Sequence, residues 1–208
     1  MNPLILLAAS YLLGATPTSY WVGRWFYGRD LRREGSGNLG ATNTYRTLGW
    51  KAALPVALVD IAKGYVPVAL FPALHGDAPW TWALGYGAAA IVGHVFSFWV
   101  GFRGGKGVAT AAGAFVAIAP WAFLLALGTF TVVVSVSRMV SLGSLSAAVA
   151  VPVGVYLLPH RGGPEVLYFS VALALFVFWS HRENIRRILT GEENRFGSGS
   201  ESGEATNG

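Results

Sequence analysis

Residues 108–136 read VATAAGAFVAIAPWAFLLALGTFTVVVSV, one apolar run of about 29 residues with Pro120 inside it. About 20 apolar residues carry a helix across a bilayer, so the run is long for one crossing and short for two. The choice fixes the side of the membrane on which everything after it lies. Charge decides it. If the run folds back near Pro120, every Lys and Arg except Lys63 and Arg161 falls on one side, as the positive-inside rule asks. If it crosses once, Arg138 and the basic segment from Arg182 onward move to the opposite face, and the asymmetry largely disappears. The sequence therefore predicts a reversal near Pro120, with 108–119 as a short, partly inserted helix.

Working outward, apolar stretches at 4–25, 52–74, 80–102, 142–158 and 166–179 complete the set. Together they predict an all-α, polytopic integral membrane bundle of seven transmembrane helices, with the N-terminus outside and the C-terminus in the cytoplasm. The first stretch lacks a basic n-region and is followed by further spans, so it reads as a helix and not as a cleaved signal. Residues 1–196 form one membrane domain in this reading. Residues 197–208, rich in Gly, Ser and Glu, read as a disordered tail.

Composition agrees with a membrane chain. Of 208 residues, 53% are apolar and only 12% charged, about half the charged share of a soluble domain. The absence of cysteine excludes disulfides, thiolate metal sites and a thioester intermediate. The net charge of +5 needs no nucleic acid to explain it, because the basic residues cluster at span ends. No obligate protein partner is evident.

Folding back at Pro120 brings four polar segments to one membrane face: 35–46, 104–110, 138–144 and 181–184. The first, Gly-Ser-Gly-Asn-Leu-Gly-Ala-Thr-Asn at 35–43 with Arg46 beyond, reads as an anion cradle. Its glycines let backbone N–H groups converge, and Ser36, Thr42 and Asn43 add side-chain donors. The second, Gly104-Gly105-Lys106-Gly107, opens a helix, so its amides and the positive helix end can meet an anion beside the Lys106 charge. It lacks the spacing of a Walker A loop.

In the third segment, Arg138, Ser141 and Ser144 share one helical stripe. In the fourth, His181 and Asn184 are i, i+3 neighbours, while Glu183, Arg186 and Arg187 fit the wetted face of an amphipathic extension. Asp60 and Lys63 lie inside a span, where unpaired charges are expensive, and read first as an intrahelical ion pair. His94 reads as packing, or as an orderer of the glycine-lysine loop. No cluster of carboxylates or histidines has metal-ligand spacing, so neither metal nor cofactor is expected.

Taken together, 35–43 with Arg46, Asp60-x-x-Lys63-Gly64, Gly93-His94 leading to Gly-Gly-Lys-Gly-Val-Ala-Thr at 104–110, Ser-Arg-x-Val-Ser-Leu at 137–142 and His-Arg-Glu-Asn-Ile at 181–185 resemble the bacterial membrane glycerol-3-phosphate acyltransferases that use acyl phosphate. The resemblance covers roughly residues 1–196. It implies a seven-helix fold with a cytosolic active site in the bacterial inner membrane, making lysophosphatidate from acyl phosphate and glycerol 3-phosphate as the first acylation of phospholipid synthesis. It further implies that Arg46, Lys106, His181 and Asn184 hold substrate phosphates, with Ser141 or Ser144 contributing. Ser36, Gly37, Asn38, Gly40, Thr42 and Asn43 match its first motif, and Gly104, Gly105 and Gly107 its second.

None of His75, His94, His160 or His181 has an Asp five residues on, so the His-x-x-x-x-Asp base of other glycerolipid acyltransferases is missing. Two bases stay open: His181, and the acceptor's own phosphate, which the resemblance suggests. A transporter or flippase for a phosphorylated molecule is the competing reading. It is weakened by the lack of an inverted repeat and by polar sites gathered on one face instead of at the midplane.

Overall fold

Asn2 opens the first helix by accepting the Leu4 N–H at 2.8 Å, and Pro3 occupies a first-turn position where a missing N–H costs nothing. The computed structural model describes residues 1–196; the tail expected at 197–208 lies outside the described residues. In order the helices are α1 (Pro3–Ala15), α2 (Thr18–Tyr27), α3 (Ala41–Leu48), α4 (Trp50–Leu70), α5 (Trp82–Val95), α6 (Val108–Ile118), α7 (Pro120–Ser137), α8 (Val140–Leu157), α9 (Pro164–Ser180) and α10 (Arg182–Leu189). Short 3₁₀ turns occupy Leu31–Arg33, Phe71–Leu74 and Phe98–Val100. No strand occurs among the described residues.

The run at 108–136 does fold back. It breaks at Ala119 (φ −143°, ψ 71°) into α6 and α7. At that break Ala119 and Ala122 pack with Val68 from the end of α4, Ala83 from the start of α5, Val155 from the end of α8 and Val166 from the start of α9. The Ile118 carbonyl there accepts the Arg161 N–H at 3.0 Å. At their other ends, α6 starts beside Asn184 through Lys106, and α8 starts beside Glu193 through Ser141. One end of the bundle is thus an apolar plug and the other collects polar side chains.

One part of the sequence reading needs correction. The first apolar stretch is not one helix: Pro17 has no N–H to continue the ladder, and the chain breaks there into α1 and α2. Among the described residues four helices can cross a membrane by length and composition, within Trp50–Leu74, Trp82–Val100, Pro120–Ser137 and Val140–Leu157. The pair α9 and α10, bent by 62°, makes a fifth if it counts as one span. At 13 and 11 residues α1 and α6 are shorter apolar helices, reaching about 20 and 17 Å against ~30 Å of hydrocarbon. The outer face of α7 exposes Trp121, Leu124, Leu127, Val132 and Val136, a surface suited to lipid.

Small residues set the helix spacing. The closest-packed pairs include α4 with α6 and α7 with α8. A Cβ on Gly64 of α4 would overlap the Thr110 carbonyl of α6, and one on Gly113 of α6 would overlap the Ile61 carbonyl of α4. Backbone meets backbone at this crossing, so no side-chain rotation can make room. Gly64→Val should therefore push the two helices apart, costing about 2–3 kcal/mol and lowering the melting temperature in detergent by roughly 5–10 °C. An unchanged midpoint in a thermal-shift measurement would contradict this packing.

Candidate active site

The segment between α2 and α3 is a loop folded around one amide. Asn43, buried in the first turn of α3, accepts the Ser36 N–H at 2.8 Å through Oδ1 and donates through Nδ2 to the carbonyls of Leu31 (3.2 Å) and Glu34 (3.0 Å). Leu31 and Leu39 anchor the loop against Val100. Gly35 and Gly37 take left-handed backbone (φ 58° and 69°), and Gly37 gives its N–H to Glu34. The expectation that Asn43 offers donors to an anion fails, because all three of its amide bonds are spent inside the loop. Gly40 starts α3 without a side-chain cap, which leaves the first turn of that helix facing a cavity beside Thr42 and Arg46.

The second loop also differs from its sequence reading. Gly104 and Gly105 give their N–H groups to the carbonyls of Val95 (2.9 Å) and His94 (3.1 Å), so these amides do not cradle an anion. Their small size serves packing instead: a Cβ on either would overlap His94. Gly107, at φ 82°, turns the chain into α6. Lys106 between them reaches the cavity and donates to Asn184 Oδ1.

Beyond α10 the chain doubles back, and Glu193 becomes the centre of a polar cluster. Its Oε1 accepts from Asn184 Nδ2 (2.7 Å) and Ser141 Oγ (2.8 Å), and its Oε2 from Arg187 Nε (2.9 Å). The fold is tied down further when Phe196 donates its N–H to the Arg138 carbonyl at 2.9 Å and its ring meets Tyr45 edge-on. Ser144 donates to the Val140 carbonyl at 2.9 Å. The His181 Nδ1 lies 2.8 Å from the Val177 carbonyl, which fixes the proton on Nδ1 and leaves Nε2 as an acceptor.

These groups share one cavity of about 400 Å³. Its wall includes Ser36, Asn38, Gly40, Thr42, Asn43, Arg46, Lys106, Gly107, Ser141, Ser144, His181 and Asn184; of the candidate residues only Gly37, Gly104 and Gly105 lie outside it. The remaining wall is mostly apolar, with Phe115, Phe123, Leu127, Val151 and Leu173 leading away from the polar end, and it also takes in Asp60, His94, Ser170 and Glu193. Burial pulls the Lys106 ammonium down to about 8, opposed by Glu193 and helped by Arg187 and Arg46. Burial, with the Lys106 charge beside it, takes His181 down to about 4, so its ring is neutral. The Arg46 guanidinium is also lowered by burial. Burial alone would raise Glu193, but its hydrogen bonds from Asn184, Ser141 and Arg187 outweigh that and hold it below the ordinary carboxylate value. No group of three or more His, Cys, Asp or Glu that could hold a metal occurs among the described residues.

A cavity that joins two half-buried cations to an apolar groove suits a ligand with a phosphate at one end and a hydrocarbon chain at the other. A family model described as glycerol-3-phosphate acyltransferase matches residues 4–191. The chain belongs to the glycerol-3-phosphate acyltransferase family. It is an acyltransferase with an integral membrane fold. Relatives named glycerol-3-phosphate acyltransferase include that of Geobacter sulfurreducens, 44% identical over 94% of this chain and 98% of the relative. Another, from Trichlorobacter lovleyi, is 45% identical over 93% and 97%. Among solved structures, PlsY (YgiH), an integral membrane glycerol 3-phosphate acyltransferase, superposes in its glycerol 3-phosphate form with a TM-score of 0.85 at 35% identity, covering 94% of this chain and 96% of that one. Its lysophosphatidic acid form gives 0.83 at 34%, covering 94% and 95%.

Sequence reasoning missed Glu193 in this acyltransferase. It follows Glu192 near the tail, where a charged pair reads as solvated surface; the clue was a carboxylate within reach of a cluster of basic residues. Glu193 is held below its ordinary value of 4.5, so its stabilising contribution is complete above that value and is lost as pH falls through the lowered one. Glu193→Gln should flatten this acid limb in thermal midpoints measured between about pH 3 and 6, and should cost about 2 kcal/mol at neutral pH by setting an amide donor against Asn184 and Arg187. A variant that keeps both the wild-type midpoint and the acid limb would contradict the cluster.

Proposed function

We propose that this acyltransferase moves the acyl group of an acyl phosphate to the 1-hydroxyl of sn-glycerol 3-phosphate, giving lysophosphatidate and inorganic phosphate. The observation that carries the reading is the single cavity with Lys106 and Arg46 at one end and an apolar groove at the other. Two substrates that each carry a phosphate need positive potential at one place. Arg46, Lys106 and the open first turns of α3 and α6 supply it. Asn184 aims the Lys106 ammonium, and Ser36, Thr42, Ser141 and Ser144 furnish hydroxyls around the phosphates. The acyl chain lies along Phe115, Phe123 and Leu127.

In the reaction the acceptor hydroxyl oxygen attacks the acyl carbon, and the bond from that carbon to the phosphate oxygen breaks. Inorganic phosphate leaves with the electron pair. With Nδ1 protonated toward the Val177 carbonyl, His181 offers Nε2, but burial and the Lys106 charge lower its basicity, and its Nδ1 is held by a carbonyl and not by a carboxylate. In this reading the acceptor's phosphate takes the hydroxyl proton, while His181 accepts a hydrogen bond and orients. Positioning and charge stabilisation do the remainder, because an acyl phosphate already carries a good leaving group.

The same reading places the enzyme in the bacterial inner membrane with seven passes, counting α1 with α2 as the first and α6 as a short one. The polar end of the bundle, rich in Arg and Lys, faces the cytoplasm, where both phosphorylated substrates are soluble or accessible.

Purified protein in detergent, given palmitoyl phosphate and labelled glycerol 3-phosphate, should form lysophosphatidate. Activity confined to acyl-CoA as donor would overturn the donor assignment, and the absence of transfer without a sealed compartment would favour transport. Lys106→Met should lose activity by about 10²-fold or more. In the wild type, kcat/KM should fall as pH rises through about 8, where the Lys106 ammonium gives up its proton. A flat profile from pH 7 to roughly 9.5 would remove Lys106 from phosphate binding.

A further inference from the structure

The chemistry above uses neither Asp60 nor Lys63, although both are buried inside α4 at 2% and 5% exposure. A charged pair in the apolar interior of a bundle costs several kcal/mol per ion to desolvate and persists only where each charge is fully occupied. Lys63 Nζ lies 2.7 Å from Asp60 Oδ1 and also donates to the Thr16 carbonyl. That carbonyl belongs to the break at Pro17, where α1 ends and its last carbonyls lose their helical partners. Its neighbour, the Ala15 carbonyl, is taken by the Ser97 hydroxyl. Lys63 is therefore a cation at the negative end of a broken helix, where both charge and hydrogen bonding favour it.

On its other side the pair meets the active-site loop. Asp60 Oδ1 lies 3.8 Å from His94 Nδ1, and the buried His94 ring occupies the space that a Cβ on Gly105 would need. The His94 carbonyl accepts the Gly105 N–H at 3.1 Å, and the next carbonyl, Val95, accepts that of Gly104 at 2.9 Å. The residue that follows is Lys106. One continuous path of contacts thus runs from Thr16 through Lys63, Asp60 and His94 to Gly105.

We propose that Asp60, Lys63 and His94 are a positioning unit that sets residues 104–106, and with them the Lys106 ammonium, against the break between α1 and α2. The ion pair fixes the His94 ring from one side, and ring and carbonyl together fix the glycine backbone from the other. Asp60 and His94 border the cavity while Lys63 does not, and none of the three is assigned a substrate phosphate. Their effect on turnover passes through where Lys106 stands, and ångström-scale displacement of such a group costs up to ~10²-fold in rate. The inference rests on the assignment of Lys106 to a substrate phosphate.

Two variants test it. His94→Gln leaves the ion pair and its hold on Thr16 intact, and Lys63→Met removes that hold. In detergent-purified protein, hydrogen exchange of the peptide containing Gly104 and Gly105 should quicken in His94→Gln, and the KM of at least one phosphate substrate should rise about tenfold with a smaller change in kcat. Lys63→Met should give the same signature where it folds; where it does not, His94→Gln decides. Wild-type exchange at residues 104–105 in folded His94→Gln overturns the proposal, whatever the kinetics. Faster exchange with unchanged KM values upholds the positioning and instead counts against Lys106 as a phosphate ligand.

Discussion

A polar group withdrawn from water must find a partner within the protein, and in an apolar bundle that rule governs each place where a helix stops short. This chain breaks its helices at Pro17, Ala119 and His181, and each break is closed by named groups. Ser97 and Lys63 answer the carbonyls at the first, the Arg161 N–H meets Ile118 at the second, and the His181 N–H and ring satisfy carbonyls of α9 at the third. The candidate active site is built from the same device. Its glycine-lysine loop is held because two amides find carbonyls of α5, and its C-terminal wall because Glu193 finds three donors.

Much of this was legible in the residues, and the limits have physical reasons. The reversal inside 108–136 followed from charge asymmetry, a global constraint that one proline only had to permit. Asp60 and Lys63 could be paired on spacing alone, since neither charge survives unpartnered at that depth. The break at Pro17 was not legible, because hydropathy averages over a window and is blind to which carbonyl loses its donor. The same blindness misread Asn43, Gly104 and Gly105: composition marks a segment as able to bind an anion, but only the fold reveals that its donors are already committed. Glu193 went unseen because its partners, Ser141 and Asn184, are 52 and 9 residues away and its own surroundings read as surface.

The electrostatic character of the site follows from these commitments. A single carboxylate sits among Arg46, Lys106 and Arg187, enough to organise the cluster without cancelling its charge. Burial, more than these neighbours, brings Lys106 down to about 8 and holds His181 neutral. A site of this kind attracts anions strongly and abstracts protons weakly, as the proposed acyl phosphate donor would ask of it.

The segment that carries Glu193 and Phe196 lies after every helix of the described residues, yet it seals a cluster whose other members begin with Ser141 and Asn184. During synthesis, then, α1 to α10 emerge before the carboxylate that joins α8 to α10. A nascent chain can insert and pack its bundle while its catalytic end stays unassembled, and a product truncated at the end of α10 has the whole scaffold but no keystone.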